Sequence, residues 1–393
     1  VRHFTVEERR ARLGRRHFLT ASHTTPSIAE VTSSLVGLHA TDPATPYLSL
    51  WARTRGFRVA DLDAALYQDR SVVKHLAMRR TLWVLTAGDL AAVQAAASDR
   101  VAANERRRLV ADVQKAGIAT DGQVWLGHAS KAVLAHLAEH GATSARDLRT
   151  ALPELAGKYD PAPGKRWGGD TPVAPRVLTV LAVEGFIVRG PNDGTWTTSR
   201  PRWVSASTWL GAAADPAAAE AARAVVVRAW LRAFGPAILD DVKWWFGSTL
   251  TWARDGLRDV GAVQVDLHGV TGWVLPDDLE PEPDGDPWCA LLPGLDVTTM
   301  GWQDREWYLG EHRGQVFDRN GNAGPTAWSD GRVVGGWRQD LDGRVELQLL
   351  EDVGADASKA LARKADELTD WLSGVRINPS FPSPLSRASA FRR

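Results

Sequence analysis

Along most of the chain apolar residues recur at three- and four-residue spacing, interrupted by short runs of strand-forming residues around Gly-rich turns. That alternation predicts helices leading into hairpins. The middle of the chain is clearest. Val124, Leu126, Val133, Leu134 and Leu137 predict a helix over 124–140, and Thr143 is a good N-cap for a short helix over 144–152. A third helix over 173–184 stops at Gly185, and residues 186–189 then turn through 190–194 into a second strand over 195–198.

Helix, short helix, helix and hairpin in that order is the pattern of a helix-turn-helix with a β-wing, and it is read three times. A copy nearer the C-terminus has helices over 217–233, 238–246 and 250–260 and strands over 262–267 and 272–275. The first has helices over 6–19, 28–38 and 46–55 and strands over 72–76 and 81–86. The acidic, Pro-rich run 277–287 cannot continue a helix or a central strand, so it reads as a linker. Beyond it come short β-type runs, including Trp307-Tyr308-Leu309, then an amphipathic helix over 356–372, a returning strand over 375–377 and a loosely held tail after Pro379. The expected fold is α+β: winged-helix units over 1–90, 91–205 and 206–276, a linker over 277–287 and a small β-barrel or sheet over 288–393. Three such units in a row would set several helix N-termini and wings on one concave face suited to a duplex. Winged helices also serve as protein–protein modules, so the pattern alone leaves that role open.

Composition changes this picture only in part. A chain of 393 residues with 44% hydrophobic and 24% charged residues is that of a multi-domain globular protein, with no apolar run long enough to span a bilayer. Cys289 is the single cysteine and the N-terminus lacks a secretory core, which points to a reducing, cytoplasmic setting. Lys+Arg and Asp+Glu both total 47, yet arginines dominate the first sixty residues while acids crowd into 277–286. That segregation is expected to give a basic channel backed by an acidic outer surface.

No Gly-rich phosphate loop, nucleophile elbow or zinc-protease helix is present. His128, His136 and His140 share one predicted helix, a spacing compatible with metal but commoner on a solvated face, and no metal or other cofactor is expected. Most of the 18 tryptophans, Trp244, Trp245 and Trp252 among them, sit where packing needs bulk. The informative stretch is 37–53, where His39, Thr41 and Asp42 meet at the joint between two helices. Spacing alone fits N-capping by Asp42 or Thr45 with a structural His39, and it also fits a catalytic cluster.

The same stretch resembles the segment of AlkZ/YcaQ-type DNA glycosylases in which two polar residues flank an apolar one ahead of a Pro-Tyr-Leu-x-Leu-Trp-x-Arg helix. Similar motifs are Met78-Arg79-Arg80-Thr81-Leu82, residues 194–199, Asp241-Val242-Lys243-Trp244-Trp245-Phe246-Gly247, Leu291-Leu292-Pro293-Gly294-Leu295-Asp296, residues 317–322 and residues 330–337. The resemblance implies three winged helices bent into a C-shaped channel closed by a C-terminal β-barrel. It also implies monofunctional excision of bulky alkylated purines, crosslinked ones included, from duplex DNA. His39 falls on the family's first catalytic glutamine and Thr41 on the second, with Asp42 one residue beyond. The expected division of labour gives His39 the water, Asp42 the charge and Thr41 a supporting hydrogen bond. DNA contacts are expected from Arg53, Arg79, Arg80, Lys165, Arg166, Arg200, Arg202, Arg319 and Asn320. The expected partner is double-stranded DNA containing damaged bases, bound by a cytoplasmic, nucleoid-associated monomer; a regulator or damage sensor without catalysis and a scaffold without nucleic acid are the competing readings.

Overall fold

Helix starts are specified by side chains that accept from otherwise unpaired backbone N–H groups. Thr5 takes Glu8 N at the start of α1 (Val6–Arg16), with Glu7 and Glu8 in the first turn and Arg15 and Arg16 in the last, matching the helix dipole. Ser27 does the same for α2 (Ile28–Ser34). The computed structural model describes residues 1–20, 27–162, 164–165, 168–211, 218–282 and 286–387.

After α2 the order is a two-residue strand β1 (Leu38–His39), α3 (Thr45–Trp51), α4 (Val59–Tyr67) and the antiparallel hairpin β2 (Val72–Leu76) with β3 (Leu82–Thr86). A 17-residue helix, α5 (Asp99–Lys115), follows. The order then recurs: α6 (Gly122–His140), β4 (Thr143–Ser144), α7 (Ala145–Ala151), α8 (Ala174–Val183), and the hairpin β5 (Ile187–Asn192) with β6 (Pro201–Ser205). It recurs again as α9 (Ala219–Phe234), β7 (Ala237–Ile238), α10 (Leu239–Phe246), α11 (Leu250–Asp259), and β8 (Val263–Leu267) with β9 (Val270–Val274). In the last two copies the short strand joins the hairpin as a third antiparallel strand, through Thr143↔Trp203 and Trp273↔Ala237.

Several expectations shift. The first copy begins at α2, not α1, because α4, an Ala-rich segment with weak amphipathic contrast, is its third helix; Leu62 and Leu66 bury its inner face. The cap of α7 is Ser144, which accepts from Asp147 N, with Thr143 one step earlier in the strand. The second strand of the middle hairpin is β6, while 195–198 lie in the turn, where Asn192 Nδ2 donates to the carbonyls of Thr195 and Thr198. Residue 217 of the expected third-copy helix lies outside the described residues.

The chain forms two compact units, residues 1–62 with 223–393, and residues 63–222. The second is built around Leu126, Val133, Val177, Leu181, Ile187 and Trp203. In the first, Phe234 packs on Trp245 at 4.7 Å and on Trp302 at 5.3 Å between ring centroids, and Phe4 packs on Val265, Leu267 and Val274. Each such side chain contributes roughly 1.5–3 kcal/mol by leaving water. Trp83, Trp230, Trp245 and Trp328 are fully buried, as bulk for packing requires.

The acidic run is no free tether. Asp278 is buried and pairs with Arg12 at 3.0 Å and Arg16 at 2.7 Å, while Glu282 takes Arg15 and Arg16. Arginines at the start of the chain and acids near residue 280 therefore neutralise one another inside one unit; the expected basic surface with an acidic backing is not formed by these residues. Attraction between segments distant in sequence explains their segregation better than steering of an external polyanion does.

The C-terminal sheet runs β10 (Cys289–Leu292), β11 (Thr326–Ser329), β12 (Arg332–Gln339), β13 (Val345–Leu349), all antiparallel. Among the described residues its end strands do not pair, so of the two expected forms it is the open sheet and not the barrel. The expected strand at Trp307 is a short helix, Glu306–Leu309, and 375–377 is not a strand, although Ile377 N donates to Gln339 Oε1. The described part of the tail, up to residue 387, is held: Ser383 and Leu385 are buried, and glycines stand close opposite them. A Cβ at Gly324 would stand 2.2 Å from Ser383 Oγ, and one at Gly336 2.5 Å from Leu385 Cδ2. After this sheet α12 (Gly354–Leu372) supplies an amphipathic face of Leu361, Leu368 and Leu372.

Candidate active site

The joint ahead of α3 is shaped by Val36 and Gly37, both at positive φ, which reverse the chain after α2 and send it into β1. His39 ends that strand, 3% exposed. Thr41 N lies 3.5 Å from His39 Nδ1, a long contact across the turn.

Asp42 is 8% exposed, and backbone groups engage both its oxygens: Ala44 N at 3.1 Å on Oδ1 and Ser380 N at 2.7 Å on Oδ2. The other two copies carry an acid at the matching position but bond it differently. Asp147 stands three residues beyond Ser144 and accepts its hydroxyl at 2.8 Å, and Asp241 stands three beyond Ile238 and accepts its N–H at 3.2 Å. Asp42 likewise stands three beyond His39, but it accepts from residues 44 and 380 and not from the residue three before it. Neither Asp42 nor Thr45 caps α3: its N-cap is Ala44, with no side-chain cap bond, and Asp42 instead closes a turn onto Ala44 N ahead of the helix. Thr41, between them, is only half-buried.

Behind the joint α3 is clamped. Pro46 sits in its first turn. Thr45 Oγ1 donates to Gly294 O at 2.7 Å, and Ser49 Oγ to Asp296 Oδ2 at 2.6 Å. Arg53, wholly buried, uses every N–H it has: Nη1 and Nη2 grip Asp296 at 2.9 and 2.7 Å, with Thr298 Oγ1, Ser49 O and His17 O as further acceptors. Burial alone would raise the Asp296 carboxyl, but the charge of Arg53 and bonds from Arg53, Ser49 and Thr298 N outweigh it and hold the group below the usual range. Burial likewise pushes His17, bonded to Thr298 Oγ1 at 2.8 Å, down to about 3. This frame of His17, Ser49, Asp296 and Thr298 was not predicted. Its signal was in plain view, since the motif ending in Asp296 had no stated partner and Arg53 was assigned to DNA.

Arg53 is therefore withdrawn as a DNA contact: no phosphate reaches a guanidinium with no exposed surface and no spare donor. Arg80 is exposed but held bidentately by the buried Glu105 at 2.7 and 3.0 Å, and Arg202 is paired with Asp193 at 2.8 Å. Arg79 lies half-buried in the turn between β2 and β3, where it and Arg80 both adopt positive φ. Lys165, Arg200, Arg319 and Asn320 are exposed, and Arg166 lies outside the described residues. His136 and His140 stack on each other at 4.3 Å, and among the described residues no group of three His, Cys, Asp or Glu is placed to hold a metal. Nor is any described helix long and apolar enough to cross a membrane.

A polar joint before a helix locked by a buried ion pair, in a mixed helix-and-sheet chain, is thus the site to compare with known proteins. The family model described as DNA glycosylase AlkZ-like matches residues 32–371, and the chain belongs to that family. Among curated proteins it is similar to the Interstrand DNA cross-link repair glycosylase of Streptomyces sahachiroi, 30% identical over 200 residues, 48% of this chain and 52% of that one. The match thus spans about half the length of that relative. Among solved structures the fold is shared with Streptomyces sahachiroi DNA glycosylase AlkZ at a TM-score of 0.74 and 22% identity, covering 95% of this chain and 98% of that one.

Proposed function

We propose that this protein is a monofunctional DNA glycosylase that hydrolyses the N-glycosidic bond of bulky or alkylated purines in duplex DNA, interstrand crosslinks included. The observation that carries the reading is a family match that runs through the joint and both halves of its clamp, residues 39–53 and 291–296. The three helix-and-hairpin repeats are read as winged-helix units, with the C-shaped channel as their arrangement on DNA.

An N7-alkylated purine is already cationic, so its departure needs little acid help. As the C1′–N9 bond breaks, its electron pair neutralises the base and the sugar becomes oxocarbenium-like. A water oxygen then bonds to C1′ and its proton leaves to solvent. The family's glutamines each offer a donor and an acceptor; here the His39 ring and the Thr41 hydroxyl take their two positions in orienting the water. Asp42, held at two points, fixes the joint and places a negative charge behind the developing cation. A second reading, a damage-binding protein without catalysis, is favoured by the small exposed edge of His39.

Incubation with a duplex carrying one 7-methylguanine separates the two: alkali-labile sites accumulate with time under the first reading, whereas binding without cleavage supports the second. For affinity, Lys165→Ala, Arg200→Ala and Arg319→Ala are each expected to lower the slope of log K against log salt by about 0.9. Fluorescence anisotropy at three salt concentrations reads this; unchanged slopes in all three variants remove these residues from the DNA interface.

A further inference from the structure

We infer that a cleft on the far side of α3 from the joint binds a nucleotide, its base against an aromatic wall and its phosphate on arginine. The inference goes beyond the excision reading, since it uses neither His39 nor Thr41 and needs no damaged base. The cleft has a volume of about 600 Å³, within the usual range of small-molecule sites. It lies between the end of α3, the loop after it, the edge of β10 and the α12 helix.

Its wall is aromatic. Trp371 packs on Trp51 at 6.3 Å and nearly parallel to Phe57 at 6.1 Å, and its indole N–H donates to Phe57 O at 2.8 Å, which fixes the ring. Trp51 and Trp371 are only half-buried, so both keep surface that packing leaves uncovered. Cations lie beside it. Lys364 is neutralised by Glu367 at 2.8 Å, but Arg363 on the same helix is exposed and no ion pair holds it among the described residues. Cys289 also lines the cleft, and burial raises its thiol. Stacking faces beside an exposed guanidinium select a planar apolar body with an anionic tail, as single-strand binding surfaces do. Helix α3 joins this wall to the polar joint over seven residues, about 10 Å.

The nucleotide can come from an unpaired stretch of DNA or from free solution, and two probes distinguish the sources. Thymidine 5′-monophosphate and a five-residue oligothymidylate are titrated into the full chain by calorimetry at low salt. Arg363→Glu, at an exposed position of α12, is compared with Arg344→Glu, which lies outside the cleft. At least one probe is expected to bind, with affinity at least tenfold weaker in Arg363→Glu and unchanged in Arg344→Glu. Binding of the oligonucleotide alone assigns the cleft to a DNA strand, and equal binding of the mononucleotide assigns it to a free nucleotide. If neither probe binds, or if Arg363→Glu matches the unmodified protein, the inference is overturned. Base excision, measured separately on damaged duplex, is untouched by either result.

Discussion

Arg53→Ala is expected to destabilise the unit that carries the joint by about 3–5 kcal/mol, because it leaves the Asp296 carboxylate buried with its counter-charge gone. Ser49 and Thr298 N would still donate to Asp296, but two hydrogen bonds do not replace a bidentate guanidinium. Asp296→Asn should cost a similar amount, since it strands a fully buried cation. Changing both partners, Arg53→Met with Asp296→Leu, should recover much of the loss, as both desolvation penalties vanish together. Urea midpoints, with hydrogen exchange in peptides covering 45–53 and 290–300, measure the effect. The exposed Arg58–Asp61 pair is the control, and Arg58→Ala should leave the midpoint where it was. Equal midpoints for Arg53→Ala and the unmodified protein would remove the clamp from the account.

Mild acid should destabilise residues 63–222 more steeply than the rest. His75, buried in β2 with Ser98 Oγ at 3.1 Å from Nε2, is pushed by desolvation down to about 4. Above pH 6.5 the ring is neutral whether the chain is folded or not. Below it the unfolded chain takes up a proton that the folded one refuses until about pH 4, so stability falls by about 1.4 kcal/mol per pH unit. His17 acts with the same sign down to about 3 in the other unit, but there Asp241 opposes it. Burial raises the Asp241 carboxyl to about 6 despite its backbone donors, so between about 6 and 3.8 the folded state holds the extra proton and gains stability as pH falls. Hydrogen exchange from pH 6.5 to 4.5 should therefore show earlier loosening in 63–222, and His75→Gln should flatten it. Parallel loss in both units, or no change in His75→Gln, would contradict this.

How much of this was legible depended on whether a feature is local. The strands at 72–76 and the helices at 124–140 and 250–259, each helix with its own side-chain N-cap, fall within a residue or two of expectation. Residues 59–67 were missed because alanines blur the amphipathic contrast, and 307–309 misread because three bulky residues look like a strand out of context. The joint itself was visible as polar residues around a turn. What those residues do was not, because it depends on partners hundreds of positions away: Ser380 for Asp42 and Asp296 for Arg53. Pairing of the early arginines with acids near 280 is of the same kind. A charge count cannot distinguish an arginine aimed at phosphate from one closed over a carboxylate.

Release of free 7-methylguanine from methylated duplex DNA, quantified by mass spectrometry for the unmodified protein, Thr41→Ala and His39→Ala, tests the central claim most directly. Time-dependent release, reduced at least a hundredfold by Thr41→Ala while duplex affinity stays within twofold, is the outcome expected if that hydroxyl holds the attacking water, on the order of 2.7 kcal/mol of barrier. An unmodified protein that binds the duplex and frees no base, or both variants working at its rate, would contradict it.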